Sequence, residues 1–163
     1  MAILRSVLPE DKEFTFYVYA STRVDEMALV NWTAQKKEAF LRMQFQAQSQ
    51  FYAENYPGAE FYIILVESQQ VGRLYIHRRE DEIRIMDISL LPEYRNQGIG
   101  SALLNDILEE GRQHNLPITI HVERFNPAMR LYERLGFRQK EDRGVYHLME
   151  WLPMVMEQGG YVG

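Results

Sequence analysis

The chain contains no cysteine. Disulfides, thiolate metal sites and a cysteine nucleophile are therefore excluded, and a cytoplasmic location is the expectation. No long basic run is present. Eighteen Lys and Arg stand against 23 Asp and Glu, a net charge of −5. Nucleic acid is not an expected partner, and a cationic partner is mildly favoured. No apolar stretch approaches the length of a membrane span, so no membrane association is expected. The N-terminal segment MAILRSVLPEDKEF has too short an apolar run for a signal peptide. His77, His114 and His121 show no metal-ligand spacing, and no metal is expected. Internal repeats, low-complexity tracts and linkers are also lacking.

What is present reads as one domain with a real core. The chain has 163 residues, 46% apolar and 25% charged, which is ordinary for a globular protein. The domain is expected over residues 1–152, followed by a glycine-containing tail, 153–163, with little pattern. Ala2–Leu8 reads as a short strand. Pro9-Glu10-Asp11 reads as a helix start. Phe14–Tyr19 is read as helical, with the face continuing irregularly to Val30. Thr33 is the expected N-cap of a helix from Ala34 to about Asn55, with Phe40, Met43, Phe45, Ala47, Phe51 and Tyr52 among its apolar positions. Tyr56-Pro57-Gly58 ends it. Glu60–Glu67 and Gln70–His77 read as strands joined by a hairpin at Ser68-Gln69, and Arg78–Asp81 turns into a third strand.

That third strand opens the most informative stretch, Asp87–Gly111. Ile83–Leu91 is an almost unbroken apolar run, and Pro92 ends it. The turn is Glu93–Gln97. A helix then begins near Gly98, with Ile99, Ala102, Leu103, Ile107 and Leu108 at helical spacing. Glycine inside a helix costs roughly 1 kcal/mol relative to alanine, yet Gly98 and Gly100 sit in the first turn. A helix start offers unpaired N–H groups and the positive end of the dipole. Without a Cβ in the way, and with Arg95 nearby, this is an anion site suited to phosphate. The glycines alone also admit close helix–strand packing. A Walker A loop is excluded because no Lys-Ser/Thr follows Gly100, and the dinucleotide fingerprint fails at Leu103.

Downstream, Asn115-Leu116-Pro117 breaks the chain and Ile118–Glu123 alternates as a half-buried strand. Strand, helix and strand form a βαβ unit, so the two strands should run parallel. Asn126 followed by Pro127 reads as N-cap and first helical residue, and Gly136 as the C′ stop. Phe137–Lys140 and Val145–Trp151 should flank Glu141–Gly144 as a closing hairpin.

Arg95-Asn96-Gln97-Gly98-Ile99-Gly100 resembles the Gln/Arg-x-x-Gly-x-Gly/Ala signature of the GNAT (GCN5-related) N-acetyltransferases. Asn126-Pro127-Ala128-Met129-Arg130-Leu131-Tyr132-Glu133-Arg134-Leu135-Gly136-Phe137 is similar to that family's second motif. The close match covers roughly residues 83–138. The resemblance implies an α/β fold with a central mixed sheet of about seven strands and about four helices. The element order β-α-α-β-β-β-α-β-α-β-β agrees with it. The resemblance also implies acetyl-CoA as co-substrate, a primary amine of a small molecule or protein as acceptor, direct attack in a ternary complex, and dimers as common in the family.

Site residues follow from the same resemblance. The pyrophosphate is expected on the backbone of Gln97, Gly98, Ile99, Gly100 and Ser101, with Arg95 and Asn96 beside it. Pantetheine is expected to pair with Ser89, Leu90 and Leu91, the Leu90 N–H polarising the thioester carbonyl. Asn126 lies near the cofactor. Tyr132 occupies the position of the usual general acid, and a phenol with an ordinary pKa of about 10 is protonated at neutral pH. For the base, the offset from Asn126 places His121 where some members carry a glutamate. Glu82 or an ordered water are the alternatives, with Glu123 and His77 weaker. Asp25, Glu26, Trp32, Tyr52 and Tyr75 are expected around the acceptor. A CoA-binding module without turnover, or a different phosphate ligand, are the competing readings.

Overall fold

A computed structural model describes residues 1–123, 126–144 and 146–153. Residues 154–163 of the expected tail lie outside the described residues. Among the described residues seven strands form one sheet in the order β1-β2-β3-β4-β5-β7-β6. They are β1 (Ala2–Ser6), β2 (Glu60–Val66), β3 (Gln69–Arg78), β4 (Ile83–Leu90), β5 (Ile118–Glu123), β6 (Arg138–Arg143) and β7 (Tyr146–Trp151). The helices are α1 (Lys12–Ser21), α2 (Val24–Ala28), α3 (Ala34–Asn55), α4 (Ile99–His114) and α5 (Met129–Arg134). Among the described residues five α-helices thus stand where about four are expected, because the segment before α3 breaks at Thr22-Arg23 into two.

The chain forms two compact units. One comprises Met1–Leu74 and Ile88–Arg95; the other comprises Tyr75–Asp87 and the described residues from Asn96 on. In the first unit, α1 and α3 bury Phe16, Tyr19, Leu41 and Phe45 against one another. The Phe16 and Phe45 rings meet edge to face at 5.5 Å, a favoured aromatic geometry. Thr33 caps α3 as its sequence implies, accepting from Lys36 N at 3.1 Å. Of the apolar positions of α3, Met43 and Phe51 are exposed, and the buried ones are Leu41 and Phe45. The helix touches its core along a narrow stripe only. Asp11 is buried and held by both terminal guanidinium nitrogens of Arg5, Nη1 and Nη2, by Leu8 N and by Gln70. Those contacts, the Arg5 hydrogen bond foremost, keep its carboxyl below the ordinary range.

The β2–β3 hairpin turns at Glu67-Ser68, one residue earlier than expected, with φ of 51° and 67°. Two left-handed residues make the tight turn that matches strand twist. Neither is Gly or Asn, so the usual signal is missing. Beyond it, β3 and β4 come unusually close at Gly72. A Cβ there would sit 2.2 Å from the Ser89 carbonyl oxygen, and Leu91 N–H donates to the Val71 carbonyl at 2.9 Å.

In the second unit, β4 and β5 pair in parallel, Ile83 with Ile118, Arg84 with Thr119 and Ile85 with Ile120. The βαβ reading holds. Along α4 the buried stripe is Leu103, Leu104, Ile107, Leu108 and Gly111; Ala102 is exposed. Helix α5 begins at Met129, later than Pro127. The Asn126 side-chain oxygen accepts from Ala128 N at 2.7 Å and its carbonyl from Met129 N at 3.0 Å. Asn126 therefore caps a turn ahead of the helix. At the other end, Phe137 N donates to Tyr132 O and Gly136 N to Glu133 O, the paired bonds of a Schellman stop. The closing hairpin is longer than expected, since β6 runs on through Glu141–Arg143, pairing Glu141 with Leu148, Asp142 with His147 and Arg143 with Tyr146. Val145 lies outside the described residues.

Gly72→Ala should destabilise the protein by about 1–3 kcal/mol, the usual cost of overpacking. Urea unfolding checks this, and an unchanged midpoint and slope would contradict the close approach.

Candidate active site

The turn into α4 has the geometry of an anion cradle. Asn96 has φ of 61° and Gly98 φ of 85°. The first helical bond runs from Ala102 N to Gly98 O at 3.0 Å. The N–H groups of Gly98, Ile99, Gly100 and Ser101 therefore have no helical acceptor. A Cβ at Gly98 would meet nothing within 4 Å, so the approach to these groups is open. Asn96–Ser101 thus fits a phosphate.

The residues just before that turn belong to the first unit and are more occupied than the sequence implies. The N–H of Leu91 is engaged by Val71, as described above. Arg95 folds back, donating from Nε to the Leu90 carbonyl at 2.9 Å and from Nη2 to Ser21 Oγ at 3.4 Å.

Register decides which face each titratable residue of the second unit occupies. Val122 is opposite His147, Ile120 opposite Met149, and Ile118 opposite Trp151. Directly opposed residues share a face. Met129 and Glu133 of α5 line a cavity of about 450 Å³ together with His147 and Met149. Helix α5 therefore covers the face of Ile118, Ile120 and Val122. His121 is opposite Leu148, so it points to the other face. His121 lies one position beyond Ile120, the last β5 residue of the β4–β5 ladder.

Tyr132 is buried, 5% exposed, with Phe137 edge-on at 5.9 Å. Burial, and then the negative charge of Asp87, push its phenol well above the ordinary value. It stays protonated across any working pH. His121 moves the other way. Burial lowers its pKa, as do the nearby guanidinium groups of Arg84 and Arg143, against smaller opposing effects of Glu141 and Glu82. Arg143 Nη1 lies 2.9 Å from His121 Nε2. The sequence reading missed both Asp87 and Arg143. Asp87 is legible by alternation, two positions past Ile85; Arg143 depends on a hairpin register that sequence leaves open.

Glu82, the alternative base, is committed elsewhere. Its carboxylate accepts from Thr119 Oγ1 in a short contact and from Arg84 Nε at 3.1 Å, with Arg79 at 4.0 Å. Burial pushes its pKa up, but Thr119, Arg84 and Arg79 outweigh this and hold it below the ordinary carboxylate range. Among the acceptor candidates, Trp32 packs edge-on against Phe40 with Lys36 over its ring. Tyr52 belongs to an aromatic cluster with Phe51, Tyr56 and Phe61. Tyr75 is buried, Glu26 pairs with Arg23 at 3.1 Å, and Asp25 lies exposed in α2. Glu123 ends β5, and His77 accepts from Arg79. Among the described residues no group of three His, Asp or Glu could hold a metal, and no helix is long and apolar enough to cross a membrane.

A mixed sheet with a parallel pair feeding a glycine-led helix defines the architecture of acyl-CoA N-acyltransferases. A family model, the acetyltransferase (GNAT) family, matches residues 23–137, and the chain belongs to that family. A [ribosomal protein bS18]-alanine N-acetyltransferase from Haemophilus influenzae is 28% identical over 85 residues, 51% of this chain. The match spans 58% of that relative's length. The PaiA N-acetyltransferase from Thermoplasma acidophilum, solved in complex with coenzyme A, superposes with TM-score 0.70 at 18% identity, covering 93% of this chain and 99% of its own. The ribosomal-protein-S18-alanine N-acetyltransferase from Escherichia coli gives TM-score 0.64 at 17% identity, covering 99% of this chain and 100% of its own. These likenesses establish the shared fold.

The lowered pKa of Glu82 links folding to pH. Its stabilising contribution is present above the unfolded carboxylate pKa and is lost as pH falls through the folded value. The stability gap between wild type and Glu82→Gln should therefore be full at pH 7 and shrink below about pH 4. Denaturation at both pH values checks this, and a pH-independent gap would contradict it.

Proposed function

We propose that the protein is an acetyl-CoA-dependent N-acetyltransferase that acetylates a primary amine by direct attack in a ternary complex. The observation that carries the reading is a protonated phenol and a neutral imidazole on opposite faces, beside the end of one parallel ladder. These are the protonation states that an acid and a base need.

Acetyl-CoA, when bound, supplies an acetyl thioester. The N–H groups of Gly98–Ser101, with Gln97, Asn96 and Arg95 beside them, are proposed to hold its phosphates. Ser89, Leu90 and Leu91 are proposed to align pantetheine. Because the Leu91 N–H already bonds Val71, the Leu90 N–H is the donor assigned to the carbonyl oxygen. Asn126 is proposed to lie beside the cofactor. His121 takes the amine proton, and Tyr132 donates to the departing sulfur. The Haemophilus relative's alanine acceptor supports a polypeptide amine as one acceptor; a small-molecule amine fits the same chemistry. The lack of cysteine supports a cytoplasmic setting, and a homodimer is part of the proposal by family likeness. One observation favours the competing reading of a CoA-binding module without turnover: Arg143 engages the His121 lone pair.

A thiol-release assay with acetyl-CoA and an amine panel separates the two, since only the enzyme releases CoA in an amine-dependent way. Gly100→Val should fold yet lose acetyl-CoA affinity by calorimetry; unchanged affinity would place the phosphates elsewhere. Tyr132→Phe should fold and bind normally but slow single-turnover acetylation by roughly 10²- to 10⁴-fold. A wild-type rate would show that the phenol serves packing alone.

A further inference from the structure

The contact between Arg143 and His121 fixes a proton. A guanidinium carries only donors, so with Nη1 at 2.9 Å the His121 Nε2 is the acceptor and Nδ1 bears the hydrogen. The one basic lone pair of the ring is covered. On its other side the same guanidinium donates from Nε to Glu141 Oε1 at 3.0 Å. Nη2 has no partner among the described residues, and the Arg143 side chain is 45% exposed. The charged groups facing the ring are Arg84, Arg143, Glu141 and Glu82. Arg84 is committed to Glu82 and Thr119, which leaves Arg143 as the charge able to move.

We propose that Arg143 recognises a carboxylate on the amine acceptor, and that pairing with this carboxylate lifts the guanidinium off His121 and bares Nε2. The proposal rests on His121 being the base. A carboxylate can do this because charge-assisted, forked pairing is roughly twice as strong as a hydrogen bond to a neutral acceptor. Glu141 does not suffice, since it already holds Nε while Nη1 stays on the ring. The acceptor is thus an amine with a carboxylate close by, as in an amino acid or a peptide with an acidic neighbour. In the step that follows, the amine N–H proton passes to Nε2 and the nitrogen forms its bond to the acetyl carbon. The carbon–sulfur bond breaks, the sulfur leaves with the Tyr132 proton, and solvent restores both side chains. The imidazolium then faces a guanidinium already neutralised by the acceptor.

Glycine and methylamine form a matched pair of probes with and without the carboxylate. Long-range ¹H–¹⁵N spectra of the imidazoles should show the Nδ1–H form of His121 in the wild type. Glycine, not methylamine, should shift its Nε2 signal, and Arg143→Gln should abolish that response while moving the His121 pKa up toward its ordinary value. In thiol-release kinetics with acetyl-CoA, Arg143→Gln should raise KM for glycine roughly 10- to 100-fold relative to methylamine, the worth of a charge-assisted hydrogen bond, with Arg143→Lys recovering part of it. An Nε2–H ring in the wild type, or an unchanged glycine response in Arg143→Gln, overturns the proposal. His121→Ala with full rate and an unaltered acidic limb would instead sink the base assignment, and with it the baring step, whatever the spectra show.

Discussion

Three parallel residue pairs, Ile83–Ile118, Arg84–Thr119 and Ile85–Ile120, set the geometry of the second unit. Strand alternation is strict, so a slip of one residue would exchange the faces of every side chain on β5. In the observed register the isoleucines meet α4 and α5, while Thr119 and His121 turn to the opposite side. The pairing is short, and both strands continue beyond it.

The foot of this ladder is held by charge. Arg84, Thr119 and Glu82 form a network that is largely buried on the Arg84 and Thr119 side. Removing one member of a buried pair leaves the other uncompensated, typically at about 3–5 kcal/mol. Such a network specifies register more than it adds stability, because an unpaired alternative is penalised. Glu82 has the partners of a structural carboxylate: fixed, ionised, and bonded to the strand it orients. His121, two positions after Thr119, differs in that its partner Arg143 is half exposed and comes from a hairpin. The same contrast separates Asp11, buried under four donors, from the exposed acids of α2.

The fold was legible where local chemistry and tertiary packing agree. Thr33 caps α3 through its hydroxyl, while Gly98 and Gly136 take the left-handed backbone that glycine adopts without strain, before α4 and after α5. Legibility failed where a local signal had two outcomes. Asn126-Pro127 reads as a helix start, but the Asn side chain closes a turn onto Ala128 and delays the helix. Glu67-Ser68 adopts left-handed backbone without the residues that favour it, so the hairpin was misplaced by one. Of the candidate site, the glycine turn and Tyr132 rest on local signals. Gly72 and Arg143 acquire meaning only when a strand 15 or more positions away is brought alongside, as the Gly72–Ser89 and Arg143–His121 contacts are.

Burial raises the phenol and lowers the imidazole, pushing the two proton affinities apart. In the proposed reaction the group that stays protonated serves as the acid and the one that stays neutral as the base. The same shift sets a difficulty for the acid. An alkyl thiol such as that of cysteine has an ordinary pKa of about 8.5, so a phenol raised above 10 gives up its proton to the thiolate uphill. A thiolate leaving into the same dry surroundings is raised by the same desolvation, which narrows the gap. In the proposed transfer Tyr132 therefore acts while the sulfur still carries partial charge, by a hydrogen bond that strengthens as the carbon–sulfur bond lengthens. Full transfer follows once water can restore the phenol. Burial, and after it the charge of Asp87, would hold that donor protonated in the proposed reaction.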